Sequence, residues 1–201
     1  KYCPSRCCLA EFFLRQFSPS MIIALTGEKL AGKGTTADYL KRQYGARVLR
    51  FSQALTDILG RLHQPNTRSE LVTLGSYVRS RFGDDILAKV VVSDALAATE
   101  PLVVIDGMRY LVEHETCQVL PNFYLLNITA PVEVRFERTR LRSEKADEAS
   151  MSYTEFAERE QDATEQQIGA VQQRAHLNIQ NTGTFQDLYT TLDQWLATLP
   201  H

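Results

Sequence analysis

No apolar run in this 201-residue chain approaches the roughly 20 residues that a membrane-spanning helix needs, so a membrane is not an expected partner. Cysteine is scarce, and the four present, Cys3, Cys7, Cys8 and Cys117, have no zinc-ligand spacing with histidine. They read as free thiols of a reducing compartment, which makes the cytoplasm the expected location. His63, His114 and His176 form no ligand spacing either, and no G-x-S-x-G segment is present, so neither a metal hydrolase nor a serine hydrolase is supported. Basic excess is missing too. The net charge is −2 and the pI about 6.1, so nucleic acid is not an expected partner and any anion site must be local. Internal repeats, low-complexity tracts and the N-K-x-D segment of guanine-nucleotide switches are also absent. What remains has the size of one α/β domain, able to bury roughly 70% of its unfolded surface without a disulfide or metal staple.

The chain is organised around residues 21–40, MIIALTGEKLAGKGTTADYL. Residues 21–26 are a short apolar run rich in β-branched side chains that stops at Gly27 and leads into Gly32-Lys33-Gly34-Thr35-Thr36. This G-x-x-x-x-G-K-G-T spacing marks a phosphate-binding loop. Glycines let backbone N–H groups turn toward an anion, the helix that follows adds its own N–H groups and positive end, and Lys33 supplies a mobile charge. The expected phosphate-holding residues are Gly27, Ala31, Gly32, Lys33, Gly34, Thr35 and Thr36. In the general pattern a Ser or Thr directly follows the lysine and meets Mg²⁺; here Gly34 takes that place, so Thr35 is the expected metal contact.

Residues 1–20 precede this loop as an N-terminal extension, either docked through Leu9, Phe12, Phe13 and Phe17 or disordered. Glu11 and Arg15 interrupt the apolar stretch that a secretory signal would need. After the loop, a helix over 35–44 and a strand over 46–51 set up βαβ alternation, which predicts a parallel sheet. Helices over 52–62 and 67–81 form an insertion, about 52–82, with Ser52, Arg68, Arg79 and Arg81 as candidate acceptor contacts. A helix over 84–98 leads to PLVVIDGMR, whose unbroken run over 102–105 is a buried strand. Asp106 then stands at its carboxyl end beside the loop, where a carboxylate can hold water-bound Mg²⁺ or orient an acceptor.

A helix over 110–120, a strand over 123–128 and a helix opened by Pro131 come next. That last helix carries Arg135, Arg138 and Arg142 on one face, a repulsive arrangement unless an anion or the nearby Glu133, Glu137 and Glu144 answer it. A polar tip over 145–150 precedes Ser152-x-x-Glu155, a capping box that opens a long polar helix to about residue 174. Only Phe156, Ile168 and Val171 offer it an apolar face, so much of it is expected to project from the core within a lid of about 138–165. A fifth strand over 176–180, a turn at 181–184 and a final helix packed by Leu188, Leu192, Trp195 and Leu196 complete the chain.

G-K-G-T is the form this loop takes in adenylate kinase and its relatives, and from residue 21 onward the chain resembles the nucleoside monophosphate kinases. Leu30 stands where those enzymes usually carry a further glycine. Asp106-Gly107-Met108-Arg109 is similar to their D-G-F-P-R segment without its proline, and to the I-D-G-x-R segment of dephospho-CoA-kinase-like proteins. The resemblance implies a three-layer P-loop NTPase fold of the α/β class, with a five-stranded parallel sheet, an acceptor-binding insertion and a lid. It implies ATP and Mg²⁺ as cofactors and a catalytic set of Lys33, Asp106, Arg109, Arg138 and Arg142, with Arg109 meeting the acceptor phosphate. The segment around Asn181 resembles a loop that lies near the adenine of ATP, while Asn181 by itself also suits a turn in left-handed conformation. The implied reaction is ATP-dependent phosphoryl transfer to a nucleoside or deoxynucleoside monophosphate. Dephospho-CoA or another small alcohol is the alternative acceptor, and a regulatory ATPase or nucleotide switch is the rival class.

Overall fold

Five apolar runs become strands in the computed structural model, which describes residues 19–141, 152–159 and 163–200. The strands are β1 (Met21–Thr26), β2 (Arg47–Arg50), β3 (Leu102–Asp106), β4 (Phe123–Thr129) and β5 (Leu177–Gln180). All pair in parallel, in the order β2-β3-β1-β4-β5. Between them run α1 (Lys33–Tyr44), α2 (Gln53–Arg61), α3 (Arg68–Phe82), α4 (Ile86–Leu96), α5 (Leu111–Cys117), α6 (Val132–Leu141), α7 (Tyr153–Arg159) and α8 (Ala163–Gln172), and α9 (Phe185–Leu196) follows β5. The expectations placed on the N-terminal extension with Cys3, Cys7 and Cys8, on Arg142 and on the tip at 145–150 lie outside the described residues.

Successive strand residues serve opposite faces, so each apolar run is buried twice. Ile22, Ala24, Val103, Ile105 and Leu125 pack against Ala88, Val91 and Ala95 of α4 and Cys117 of α5. Ile23, Leu25, Val104, Leu126 and Ile128 pack against Ala37 and Leu40 of α1 and Leu188, Leu192 and Leu196 of α9. The result is the expected three-layer α/β sandwich. Cys117 is a buried free thiol whose pKa burial pushes up to about 12.

Local chemistry sets the helix ends. Gly45, at φ 66°, closes α1 in the left-handed conformation that glycine adopts without strain. Thr67 Oγ1 accepts the Glu70 N–H at 3.3 Å to open α3, and Thr184 with Asp187 forms a reciprocal cap for α9. The Ser152–Glu155 box forms as its spacing predicts.

The polar stretch after that box departs from expectation. Its described residues form α7 and α8, and α8 packs on α5 and β1 instead of projecting. Phe156, Ile168 and Val171 are all buried, and Val171 completes the core of the first sheet face. Ile168 and Val171 lie one turn apart, and two apolar side chains at that spacing suffice to seat a short helix on a sheet. Among the described residues no helix is long and apolar enough to cross a membrane.

Candidate functional site

The loops that follow the carboxyl ends of the strands converge on one edge of the sheet, with the β1–α1 loop between those after β3 and β4. Two glycines of that loop are demanded by geometry. Gly27 has φ 129°, and a Cβ there would run into the carbonyl oxygen of Ile128. Gly32 has φ 120°, and its Cβ would meet the side-chain amide of Asn181. Leu30, the residue that departs from the glycine pattern, takes φ 64° all the same, a left-handed conformation that costs a side-chain-bearing residue about 1–2 kcal/mol. Lys33 folds over the loop, its Nζ donating to the carbonyls of Gly27 at 2.7 Å and Glu28 at 2.8 Å. Gly34 has open space where a Cβ would stand. Thr35 is half-buried on the first turn of α1, and the buried Thr36 has a hydroxyl with no hydrogen-bond partner.

Arg138, expected as a lid arginine, lies against the loop's backbone. Its Nη1 donates to the carbonyls of Leu30 at 3.1 Å and Ala31 at 3.2 Å, and its Nη2 to that of Asn181 at 2.8 Å. Burial lowers its pKa. Arg135, one turn earlier on α6, is 5% exposed and donates to the carbonyls of Ala130 at 2.8 Å and Lys29 at 3.4 Å. In a trans peptide the N–H points opposite to the C=O, so holding the oxygens of Lys29 and Ala31 toward α6 turns the N–H groups of Leu30 and Gly32 the other way. Asn181 joins the same brace: its Nδ2 donates to Ala31 O at 2.8 Å and its N–H to Thr129 O at 2.8 Å. Among the described residues it is not one of those with positive φ.

Across the crevice, Asp106 sits level with Leu25 of β1 and Arg50 of β2. Its Oδ2 lies 3.2 Å from Arg50 Nε. Gly107, at φ 91°, lets the chain fold over the end of β1, where the N–H groups of Gly107 and Met108 both donate to Leu25 O and Thr26 Oγ1 donates to Met108 O. That fold delivers Arg109 to Glu113. Glu113 Oε2 accepts the backbone N–H of Arg109 at 2.9 Å and of Tyr110 at 3.2 Å, and Oε1 lies 3.8 Å from Arg79 Nη2. Burial raises the Glu113 pKa, and the two N–H groups and the charges of Arg79 and Arg109 oppose that rise. The Arg79 guanidinium lies 5.2 Å from the centre of the Tyr110 ring.

Of the acceptor-side candidates, Arg79, Arg109 and Asp106 therefore gather around one loop. Ser52 is the exposed N-cap of α2, and its hydroxyl makes no capping bond. Arg68 starts α3, about 16 Å along the axis from Arg79. Arg50 and Glu113 were not among the candidates from sequence, and Arg135 was read only as part of the arginine face of its helix. Arg50 becomes visible only through the strand register, whereas Glu113 could have been found as the acid one turn after Arg109.

No family model matches the chain. It is 28% identical over 182 residues to a UPF0200/UPF0201 protein of Archaeoglobus fulgidus, a match that takes in 89% of this chain and 55% of that protein, so the chain spans about half of that relative's length. It is also 28% identical over 170 residues to a UPF0200 protein of Saccharolobus solfataricus, covering 83% of this chain and 87% of the relative. A solved shikimate kinase of Bacteroides thetaiotaomicron superposes with a TM-score of 0.63 at 16% identity, over 88% of this chain and 98% of that one. A shikimate kinase of Acinetobacter baumannii, solved with shikimate, gives a TM-score of 0.52 at 16% identity over 92% and 97%. The fold is that of the P-loop kinases. At these identities the likeness concerns architecture alone.

Proposed function

We propose that this chain transfers the γ-phosphoryl group of ATP to a phosphorylated small molecule, with a nucleoside or deoxynucleoside monophosphate as the leading acceptor. The observation that carries this reading is the company around Asp106: Arg50 beside it, Arg109 three residues on, and Arg79 facing Glu113 of α5, which holds the Arg109 backbone N–H. An arginine-rich crevice one strand away from a phosphate-binding loop suits an acceptor that is itself an anion.

The residues present also suit ATP with Mg²⁺. The P-loop backbone and Lys33 would hold the nucleotide phosphates, and Gly34 leaves room for them. Thr35 and the part-exposed carboxylate of Asp106 would hold the metal, since Mg²⁺ is commonly bound by one or two carboxylates together with substrate phosphates. When bound, the ion neutralises charge that builds on the transferred group. The protein's own share is positional. Arg135, Arg138 and Asn181 keep the loop in shape, and Arg50 and Arg109 draw the acceptor toward Asp106. A phosphate acceptor needs no strong general base; a hydroxyl acceptor would place that duty on Asp106.

The test is ADP release with ATP and Mg²⁺ against every ribo- and deoxynucleoside monophosphate, dephospho-CoA and shikimate. Stimulation by one nucleotide group is expected. Release that none of them stimulates would overturn the transferase reading in favour of an ATPase or switch.

A further inference from the structure

Two side-chain oxygens beneath the β1–α1 loop are buried and meet no hydrogen-bond donor: Oε2 of Glu28 and Oδ1 of Asn127. Glu28 belongs to the loop itself, and its other oxygen accepts from Gln172 Nε2 of α8 at 2.6 Å. Asn127, near the end of β4, is 6% exposed and gives its amide nitrogen to Asn178 Oδ1 of β5 at 2.8 Å. The two oxygens converge under α8. Asn127 shares the sheet face of Leu125, which packs in one cluster with Val171, the neighbour of Gln172. Its Oδ1 would stand 3.3 Å from a Cβ on Gly27, the residue before Glu28. A buried oxygen without a donor is unfavourable, and a carboxylate oxygen more so, because its charge has also left water. Gln172 is neutral, so its bond satisfies one oxygen of Glu28 and leaves the charge as it was.

We propose that Glu28 and Asn127 form a site for one monovalent metal cation, lodged between the β1–α1 loop, β4 and α8. A carboxylate and an amide oxygen are hard donors, and the single negative charge of Glu28 matches a single positive one. Among the described residues no three acids, histidines or cysteines gather into a group that would favour a divalent ion. A water could donate to both oxygens, but it would leave the carboxylate's charge unanswered. The cation would tie the start of the loop to β4 and, through Gln172, to α8, adding to the hold of Ile168 and Val171 on that helix. Glutamine at 28 supplies what the ion supplies. Its amide oxygen can accept from Gln172 and its amide nitrogen can donate to Asn127, with no charge left over.

The experiment uses the full chain without nucleotide and compares its melting in the chlorides of K⁺, Na⁺ and choline, all at an ionic strength of about 0.1 M so that general screening is equal. The parent should melt several degrees higher in K⁺ or Na⁺ than in choline, since an ion that binds only the folded state stabilises it. Glu28→Gln should melt alike in all three salts. A second readout is direct: the sodium NMR line should broaden on adding the parent protein and stay sharp on adding Glu28→Gln. A parent that melts alike in the three salts and leaves the sodium line sharp would overturn the proposal, with a buried water as the answer to both oxygens. An ion effect that survives Glu28→Gln would overturn it too, by putting the ion elsewhere. Neither result bears on phosphoryl transfer. The acceptor assay can fail with the ion site intact, and it can succeed with the ion site disproved.

Discussion

Beside the β1–α1 loop, Arg135 and Arg138 direct their guanidiniums at backbone carbonyls, whereas across the crevice Arg50 and Arg79 face the carboxylates of Asp106 and Glu113. The two kinds of partner differ in what can replace them. A carbonyl inside a folded loop is fixed and neutral, so an arginine bonded to it is part of the scaffold. A carboxylate at 3.2–3.8 Å holds an arginine by charge, and an incoming phosphate competes for the same guanidinium. The half beside the β1–α1 loop, the nucleotide half in the proposed reading, is braced in advance, and the half across the crevice, the proposed acceptor half, holds its arginines by charge.

The largest expected effect tests whether chemistry resides in the braced half at all. Lys33→Ala should lower turnover by roughly 10²–10³ or more while the protein still folds, a loss far beyond that of the two loop bonds its ammonium donates to the carbonyls of Gly27 and Glu28. Unchanged turnover would remove the P-loop from the reaction.

The contrast itself is tested by two arginine deletions. Arg138→Ala leaves the carbonyls of Leu30, Ala31 and Asn181 short of a donor, and an unmet buried group costs about 1–3 kcal/mol. At about 2–4 °C per kcal/mol for a chain of this size, the melting temperature should fall by several degrees. Arg50→Ala should change stability by less than about 1 kcal/mol, because the Arg50 side chain is 54% exposed, and should instead raise the acceptor KM. The reverse pattern would erase the distinction between the two halves.

A smaller effect is a pH dependence. Burial raises the Glu113 pKa, so the folded state holds that proton more tightly than the unfolded chain does. Its contribution to stability is therefore fullest in acid and is lost as pH rises through the folded-state pKa. Any gain of Glu113→Gln over the parent should be visible near neutrality and should vanish toward about pH 4, which melting curves across that range would show. A gain that grew in acid would mean that the ionised carboxylate stabilises the fold.

Smallest of all is Leu30→Gly. Removing left-handed strain and loosening the unfolded chain oppose each other, so the net change should lie within about 1 kcal/mol. A clearly larger loss on thermal melting would show that the brace depends on the leucine side chain as well as on the backbone.

What the sequence determined by itself was local. The glycine spacing and Lys33 singled out the β1–α1 loop, the apolar runs located five strands, and the β-branched run at 102–105 put Asp106 at a strand end. Each of these is written within a few neighbouring residues, where backbone preference and side-chain period act. Only the tertiary structure decided which side chains meet. Arg50 reaches Asp106 across 56 residues because β2 and β3 pair in one register, and Arg138 reaches Leu30 across 108 because α6 descends beside the loop. The same holds for the polar stretch after Ser152, whose composition suggests projection, while Ile168 and Val171 seat α8 on the sheet. An arginine on a helix reads alike in sequence whether it will meet a carbonyl, a carboxylate or water. The partner follows from where the sheet brings distant segments together, and that partner separates scaffold from site.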